Sequence, residues 1–348
     1  MSENSVQDVF IHLGGQDDNL GDSALRAAYF EAAQGPGRQF HVHFEGQTTD
    51  YLTGIPLKPE HKVYNDRDEW IAASNSSKGA VMLFNAGEIN PGRAYPPRHT
   101  AIQLRNIVDR GGMIIMAGTG LKDPSKLDAS GIHPLLREAK IASWRDKPSR
   151  DAAGFGTWAP DWAYALGTPT SQWAPAEARP LLAVSLRYDR PLPGAEWIEG
   201  VRALAAQTSS EIVTLAQVAR DAPRAVQLAQ MLDGEYLTPP SMKHADLDAH
   251  ARHTYGQALA VISDRAHGLI IAATEGAYPI GSAANPQKIK RLLAAADLGD
   301  LVGRYDQLQE FSARFDAQLP EFKPAVDTAR QRLAELTRRI NDAMDSMR

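Results

Sequence analysis

Short apolar runs alternate with longer amphipathic stretches, and the alternation occurs twice along the chain. Parallel strands need a crossover that is usually a helix, so this order predicts parallel sheets with helices on both faces. The first series has predicted strands at 9–13, 39–44, 80–84, 113–117 and 141–144, with helices at 22–33, 100–110 and 132–139. The second has strands at 181–186, 211–215, 259–263 and 278–281, with helices at 195–207, 222–232, 265–275 and 287–295.

The two series are separated by residues 147–180, which contain many Gly, Pro and Trp residues and few periodic elements. The sequence therefore predicts two Rossmann-like α/β domains, over 1–180 and 181–302, that face each other across a cleft near residue 180. Ligands of such sheets bind beyond the carboxyl ends of the strands, so we expect the functional residues there.

Residues 303–348 depart from this rhythm and carry apolar side chains at helical spacing. We expect two amphipathic helices that pack on the body, separated at Pro320 and Pro324 because proline interrupts a helix. The alternative is a coiled coil that pairs two chains in a homodimer, although the stripe covers fewer heptads than a convincing coiled coil.

The net charge and the absence of cysteine exclude several classes of function. The chain has 348 residues, with 37 basic and 42 acidic side chains and a formal net charge of −5. This balance disfavours a nucleic-acid partner, and the lack of cysteine excludes thiol nucleophiles, disulfides and iron–sulfur clusters.

The N-terminus lacks the pattern of a secretory signal, and no apolar run is long enough for a transmembrane segment. We expect a cytoplasmic protein that reaches a membrane surface only as a peripheral partner.

The first candidate segment is the loop from Gly14 to Asp22, between a predicted strand and a helix. Glycines let a ligand approach the backbone, and helix N-terminal amides favour anions. The spacing matches neither a Walker nor a dinucleotide fingerprint. Capping of the helix by Asp22 or Ser23 is an equally strong interpretation.

The second candidate segment places Arg265 and His267 where a strand ends and a helix begins. Cations in the first turn of a helix oppose its dipole, so an anion nearby would stabilise them. An arginine suits a carboxylate or phosphate, and a histidine can transfer a proton at neutral pH. The structural alternative pairs Arg265 with Asp264 or Asp161 and makes His267 a turn cap.

Three further cations follow predicted strands or open helices. Arg187 lies at the carboxyl end of a strand, and Lys288 opens the helix after the Arg265 segment. Arg145 also follows a strand, with Asp146 beside it. Lys288 taken alone reads as a solvated side chain, and Arg145 with Asp146 as a surface pair.

The histidines do not form a convincing metal site. His12, His41 and His43 lie on two strands with no carboxylate pair nearby, although His41 and His43 share a face. We expect no bound metal. A polar predicted helix places its histidines in solvent: His244, His250 and His253.

Taken in order, these segments resemble the polysaccharide pyruvyltransferase family. The match runs from residue 9 to about 296 and rests on Asn19-Leu20-Gly21-Asp22, Arg145-Asp146-Lys147-Pro148-Ser149, Pro160-Asp161, Ser185-Leu186-Arg187, Ser263-Asp264-Arg265-Ala266-His267-Gly268, Gly276-Ala277-Tyr278-Pro279 and Lys288. Ala266 stands where the family usually has leucine, and the segments 85–88 and 117–120 also depart from the family pattern. These departures affect the acceptor more than the donor.

The resemblance implies a GT-B-like fold and transfer of a pyruvyl group from phosphoenolpyruvate to a sugar, usually as a cyclic ketal. Phosphoenolpyruvate is then a co-substrate, no separate cofactor is needed, and the acceptor is a sugar or carrier-linked glycan of a cell-surface or exopolysaccharide precursor.

Residue chemistry assigns the roles that this reaction needs. The carboxylate and phosphate of the donor need cations, which Arg265, Arg187, Lys288 and Arg145 supply. His267 is the general acid and Asp22 the base, with Asp161 as the alternative base. The residues predicted to contact the acceptor are Asn19, Gly21 and Asp161.

Two other functions remain open at this point. One is a GT-B glycosyltransferase that uses a nucleotide sugar, although Glu275 is the only acidic candidate for a ribose contact. The other is a protein that binds an anionic glycan without catalysis.

Overall fold

The computed structural model describes residues 6–16, 18–46, 49–128 and 131–347, which form two compact units. Within the described chain, the first unit comprises residues up to 16, 22–162 and 332–347, and the second comprises 18–21 and 163–331. The segment 163–180 therefore groups with the second unit, ahead of the strand at Leu181 where the sequence rhythm restarts. Asp17, in the glycine-rich loop, lies outside the described residues.

The first unit is built on a parallel sheet with strand order β3-β2-β1-β4-β6-β7-β8, and β5 pairs with β6. Its strands are β1 (Gln7–His12), β2 (Arg38–His43), β3 (Lys62–Tyr64), β4 (Val81–Phe84), β5 (Glu88–Ile89), β6 (Met113–Leu121), β7 (Ile141–Trp144) and β8 (Thr157–Trp158). The connecting helices are α1 (Leu20–Ala32), α2 (Arg67–Ser76), α3 (Arg98–Asp109) and α4 (Lys147–Ala153).

Helices cover the sheet because its central strands are apolar on both faces. Every residue of β4 and β6 is buried. One layer of the core packs Phe10, Trp70 and Leu104 against these strands. Parallel sheets buried on both sides read as continuous apolar runs, which is why the sequence predicts the central strands well.

The second unit repeats the plan with a parallel sheet of order β11-β10-β9-β12-β13-β14. Its strands are β9 (Leu181–Ser185), β10 (Glu211–Thr214), β11 (Glu235–Tyr236), β12 (Ala258–Ser263), β13 (Tyr278–Ser282) and β14 (Val302–Gly303). Its helices are α5 (Ala195–Thr208), α6 (Ala222–Leu232), α7 (His244–Gln257), α8 (Ala266–Thr274) and α9 (Gln287–Ala294). The predicted parallel α/β architecture is confirmed in both units.

A long helix, α10 (Leu308–Asp345), corrects the expectation of two C-terminal helices. Pro320 and Pro324 lie inside it. Each proline removes one backbone hydrogen bond, but packing outweighs that loss. Phe322, between the two prolines, stacks on Trp173 with ring centroids 5.3 Å apart and meets the edge of Tyr278 at 5.8 Å. None of the described helices is both long and apolar enough to cross a membrane.

Two smaller expectations are also wrong. The predicted helix 132–139 is a short 3-10 turn, Pro134–Glu138, in which the Leu135 amide donates to the His133 side chain. In α7, His244 is buried rather than exposed, because this helix packs against α8 and β12.

Arg330 of α10 ties the segment 163–180 to the second unit. Its guanidinium donates to four backbone carbonyls, at Tyr164, Leu166, Thr168 and Thr274, over distances of 2.8–3.3 Å. These acceptors belong to turns and a helix end that have few other donors available. Arg330 thus supplies hydrogen bonds to backbone carbonyls in a part of the chain that has little regular secondary structure.

Replacing Arg330 with methionine should lower the free energy of unfolding by about 3 kcal/mol, because several carbonyls lose a charged donor at once. Denaturant titration followed by circular dichroism measures the change. The control is Arg338→Met, since Arg338 is exposed and pairs with Glu335 on its own helix. That control should change stability by less than about 0.5 kcal/mol. Equal effects of the two substitutions would contradict the assigned role of Arg330.

Candidate functional site

Three neighbouring strands of the second unit end in serine at the same edge of the sheet. Ser185 of β9 and Ser263 of β12 are register partners, and Ser282 ends β13 beside them. The Ser263 hydroxyl donates to the Ser185 carbonyl at 2.6 Å. Arg187 and Arg265 lie in the loops that follow β9 and β12, and Lys288 lies in the first turn of α9 after β13, so the fold brings these three predicted donor ligands to one edge.

Arg265 is the N-cap residue of α8 and is buried. Its Nε donates to Asp221 Oδ2 at 2.5 Å, and its backbone amide donates to the Ser263 hydroxyl. The expected partners, Asp264 or Asp161, are therefore replaced by Asp221. Arginine has no acceptor atom, so the Arg265 side chain cannot cap the first amides of α8. The N-terminal end of this helix carries partial positive charge and therefore attracts an anion.

His267 is the second residue of α8 and is half-buried. The next residue is Gly268, where a Cβ atom would lie 2.3 Å from the Gln217 side chain. Gly21, which groups with the second unit, lies against the His267 ring, and a Cβ there would fall 2.3 Å from its Nδ1. The sequence motifs around Gly21 and His267 therefore meet in the structure.

Arg187 is held by its own loop. Its guanidinium forms two hydrogen bonds with Asp189, at 2.7 and 2.8 Å, and holds the pKa of that carboxyl at about 2. Its backbone amide donates to Asp264 Oδ1 at 2.8 Å. Lys288 lies in the first turn of α9 and is exposed.

Sequence reasoning missed Asp221 and the basic residues around it. Asp221 is fully buried, accepts the Tyr188 amide and fixes Arg265, and it follows β10 at the same sheet edge. Arg220 beside it pairs with Asp18 at 2.6 Å and lies over the Tyr188 ring. The rule that ligands gather at strand ends applies equally to β10, so the signal was present in the sequence.

Other predicted site residues belong to the first unit. Arg145 follows β7, is 2% exposed and pairs with Glu88 at 2.8 Å and Asp161 at 3.5 Å. It is therefore no surface pair with Asp146, which caps α4 instead. Asp161 is 1% exposed within this ion pair.

The predicted base, Asp22, lies in the first turn of α1, where it pairs with Arg26 at 3.2 Å and accepts the Gln16 amide. Asn19 accepts the Gly21 amide through its side-chain oxygen. Both contacts fix the start of α1. The roles of these residues in acceptor binding and catalysis stay predictions.

Two negative observations concern the described part of the chain. It contains no cluster of three or more His, Cys, Asp or Glu side chains arranged to hold a metal ion. Glu275, the candidate for a ribose contact, is 6% exposed and bonded to Arg252 and Thr168. It ends α8 at the opposite end of that helix from Arg265 and His267.

The arrangement suits a phosphorylated anion. Guanidinium groups, exposed Lys288 and the N-terminal end of α8 supply positive charge, and Asp221 holds one guanidinium in place. A buried arginine that is already oriented loses little freedom when it binds an anion. His267, in the first turn of the same helix, is positioned to donate a hydrogen bond or proton to a ligand held there.

Asp264→Asn should stabilise the protein at neutral pH. Burial raises the pKa of Asp264 to about 6 from the ordinary value of 3.8, while its Oδ1 keeps the Arg187 amide. Between about pH 4 and pH 6 the folded state therefore holds a proton that the unfolded chain has lost. The free energy of unfolding falls as pH rises through this range, and the full loss remains at neutral pH. Asparagine keeps the acceptor and does not titrate.

Unfolding free energies at several pH values measure this linkage. The variant should match the wild type near pH 4 and exceed it by on the order of 3 kcal/mol near pH 7.5. A difference that does not change with pH would show that Asp264 is ionised in the folded protein across the range.

Comparison with known proteins gives matches among solved structures. No family model and no curated protein matches the chain. HepE from Anabaena, solved with UDP, has a TM-score of 0.54 at 9% identity and covers 98% of each chain. S. aureus MnaA, also solved with UDP, has a TM-score of 0.51 at 11% identity, covering 92% of this chain and 91% of that one.

A mutant O-GlcNAc transferase from Thermobaculum terrenum has a TM-score of 0.50 at 13% identity, covering 99% of this chain and 69% of that one. At such identities the likeness shows the fold alone. The fold is GT-B, with two parallel-sheet α/β domains and a long C-terminal helix. This confirms the fold class that the sequence resemblance implied.

Proposed function

We propose that the chain is a GT-B transferase that moves a group from a phosphorylated donor to a sugar. The observation that supports this most is the start of α8, where buried Arg265 and half-buried His267 lie beside Arg187 at the positive end of the helix dipole. This set of groups neutralises phosphate charge and places a proton donor next to it.

A nucleotide sugar is the donor that the structural comparisons favour, since HepE and MnaA were both solved with UDP. In this reaction an acceptor hydroxyl forms a bond to the anomeric carbon. The bond from that carbon to the diphosphate breaks, and the hydroxyl proton passes to a base. Arg265 and the amides of α8 would stabilise the charge of the departing nucleoside diphosphate.

Phosphoenolpyruvate is the second candidate, favoured by a specific observation on this chain. Glu275 is enclosed by Arg252 and Thr168, which removes the acidic side chain expected to bind a ribose. The segment from Ser263 to Gly268 is also part of the sequence pattern on which the pyruvyltransferase resemblance rests. Here a sugar hydroxyl would bond to the central carbon of the donor and pass its proton to a base, while His267 protonates the methylene carbon. A second hydroxyl then bonds to the same carbon, its proton leaves with the departing phosphate or passes to the base, and the carbon–phosphate oxygen bond breaks to close the ketal.

Product analysis separates the two donors. The purified chain is incubated with carrier-linked sugars and either a panel of nucleotide sugars or phosphoenolpyruvate, and release of nucleoside diphosphate or inorganic phosphate is followed. Mass spectrometry of the acceptor then shows a gain of a sugar or of a pyruvyl group. Binding of donor or glycan without either product would indicate the non-catalytic alternative and overturn the transferase proposal.

Arg265→Lys should weaken donor binding about ten- to a hundred-fold, because lysine lacks the planar fork that meets both Asp221 and an anion. Titration calorimetry with whichever donor turns over measures the loss. The matched control is Arg202→Lys, since Arg202 is an exposed arginine of the same unit that pairs with Asp233. Unchanged donor affinity in Arg265→Lys would place the donor elsewhere.

With phosphoenolpyruvate as the donor, His267→Gln should reduce turnover about a hundred- to ten-thousand-fold while donor affinity changes little, because glutamine donates a hydrogen bond but delivers no proton to the methylene carbon. Single-turnover product release across pH measures this, and His250→Gln on α7 serves as the histidine control. Near-normal rates in His267→Gln would show that the proton comes from another group.

A further inference from the structure

The first unit contains an unassigned cavity of about 160 Å³ at the carboxyl ends of β1, β2 and β4. His12 ends β1, and His43 ends β2 directly opposite it in register. Asn85 follows β4 and has a positive φ of 32°, a backbone conformation that asparagine tolerates better than most residues. The cavity therefore lies at the ligand-binding edge of the first sheet.

Most of the cavity wall is aromatic or aliphatic. Trp70, Phe84, Tyr95 and Leu104 contribute to it. The Phe84 and Tyr95 rings lie 5.7 Å apart, and the Tyr95 hydroxyl is hydrogen-bonded to the Asn85 side chain. A wall of this kind accepts the flat or apolar face of a ring.

One polar group in this wall lacks a partner within the described residues. His43 is 1% exposed, and its Nδ1 is 2.8 Å from Nδ1 of His12. Its ring stacks on Trp70 with centroids 5.3 Å apart, which fixes its orientation. The remaining nitrogen, Nε2, is buried without a hydrogen-bond partner among the side chains and backbone that the structure describes. An orphaned buried nitrogen destabilises a fold unless a ligand or water satisfies it.

The neighbouring His41, two residues away on β2, shows the contrast. Its two ring nitrogens meet the Tyr64 hydroxyl and the Asp8 carboxylate, each at 2.9 Å. That histidine has a complete structural role. His43 does not, although burial lowers its pKa and keeps the ring neutral at pH 7, so that Nε2 suits a neutral hydroxyl better than an anion.

We propose that this cavity binds one neutral six-membered ring carrying a hydroxyl group, with the ring against Trp70, Phe84 and Tyr95 and the hydroxyl on Nε2 of His43. The volume agrees, since a cavity of about 150 Å³ holds a benzene-sized molecule. The inference concerns only the first unit and does not depend on which donor the second unit binds. A sugar ring and a phenolic ring share this chemistry.

Binding measurements with small probes test the site and distinguish these sources. Phenol, methyl β-D-glucopyranoside and toluene are titrated into the full-length chain, followed by saturation-transfer NMR and calorimetry. We expect one of the two hydroxylated probes to bind and toluene to bind at least about tenfold more weakly than it. Which probe binds identifies the phenolic or the sugar source.

His43→Phe keeps the ring and removes both nitrogens, so affinity for the hydroxylated probe should fall about tenfold. His61→Phe is the matched control, because His61 is a partly buried histidine of the same unit that packs on Phe30 and Phe40, away from the cavity. It should leave probe affinity unchanged.

Thr100→Phe provides a second variant that keeps the histidines. Thr100 lines the cavity and is half-buried, so a larger side chain there should block the ring and abolish binding while circular dichroism stays unchanged. If His43→Phe fails to fold, Thr100→Phe provides the test on its own. Unchanged affinity of Thr100→Phe for the hydroxylated probe would overturn the proposal. Failure of both hydroxylated probes to bind the wild type, or equal binding of toluene, overturns it as well.

Discussion

Both sheets of this protein are covered by helices on each face, and this constraint determines where polar chemistry can occur. Strands such as β6 and β12 have no solvent-facing side on which a polar side chain could remain hydrated. Charged groups are therefore confined to strand ends and the loops that follow. Because all strands in a sheet are parallel, those ends meet at one edge. Arg187, Arg265 and Asp221 come together for this reason, as do His12 and His43 in the other sheet.

The same constraint explains what the sequence could predict. Fully buried strands appear as apolar runs, so the strands ending at Ser185 and Ser263, and the helix that carries His267, were placed within a few residues. Ion-pair partners are harder to predict than strands, because the pairing of Arg265 with Asp221 joins residues 44 positions apart in the sequence. No local pattern shows which of several aspartates lies opposite. Helix α10 was misjudged because the effect of proline is local, whereas the packing of Phe322 on Trp173 is tertiary.

Pairing of cations with carboxylates gives the second unit an electrostatic character that net charge alone does not show. An unpaired buried guanidinium would be costly, and Asp221 removes most of that cost while it fixes the direction of the fork. The guanidinium of Arg265 is thus oriented before any ligand binds. The candidate site can therefore attract an anion although the formal charge of the chain is −5. Neutral His43 provides the opposite environment in the first unit, where a desolvated imidazole favours uncharged polar groups.

The first unit is built from segments that are far apart in the sequence, and this affects folding during synthesis on the ribosome. Gln7 on the first strand donates to the carbonyl of Met344, and Arg38 bonds to Asn341, so the earliest strands contact the last turns of α10. Residues 163–331, which make up most of the second unit, are translated between these contacting segments. The N-terminal sheet of a nascent chain therefore stays partly exposed until the last turns of α10 have been synthesised. During that interval the partly covered sheet is a surface that chaperones would be expected to protect.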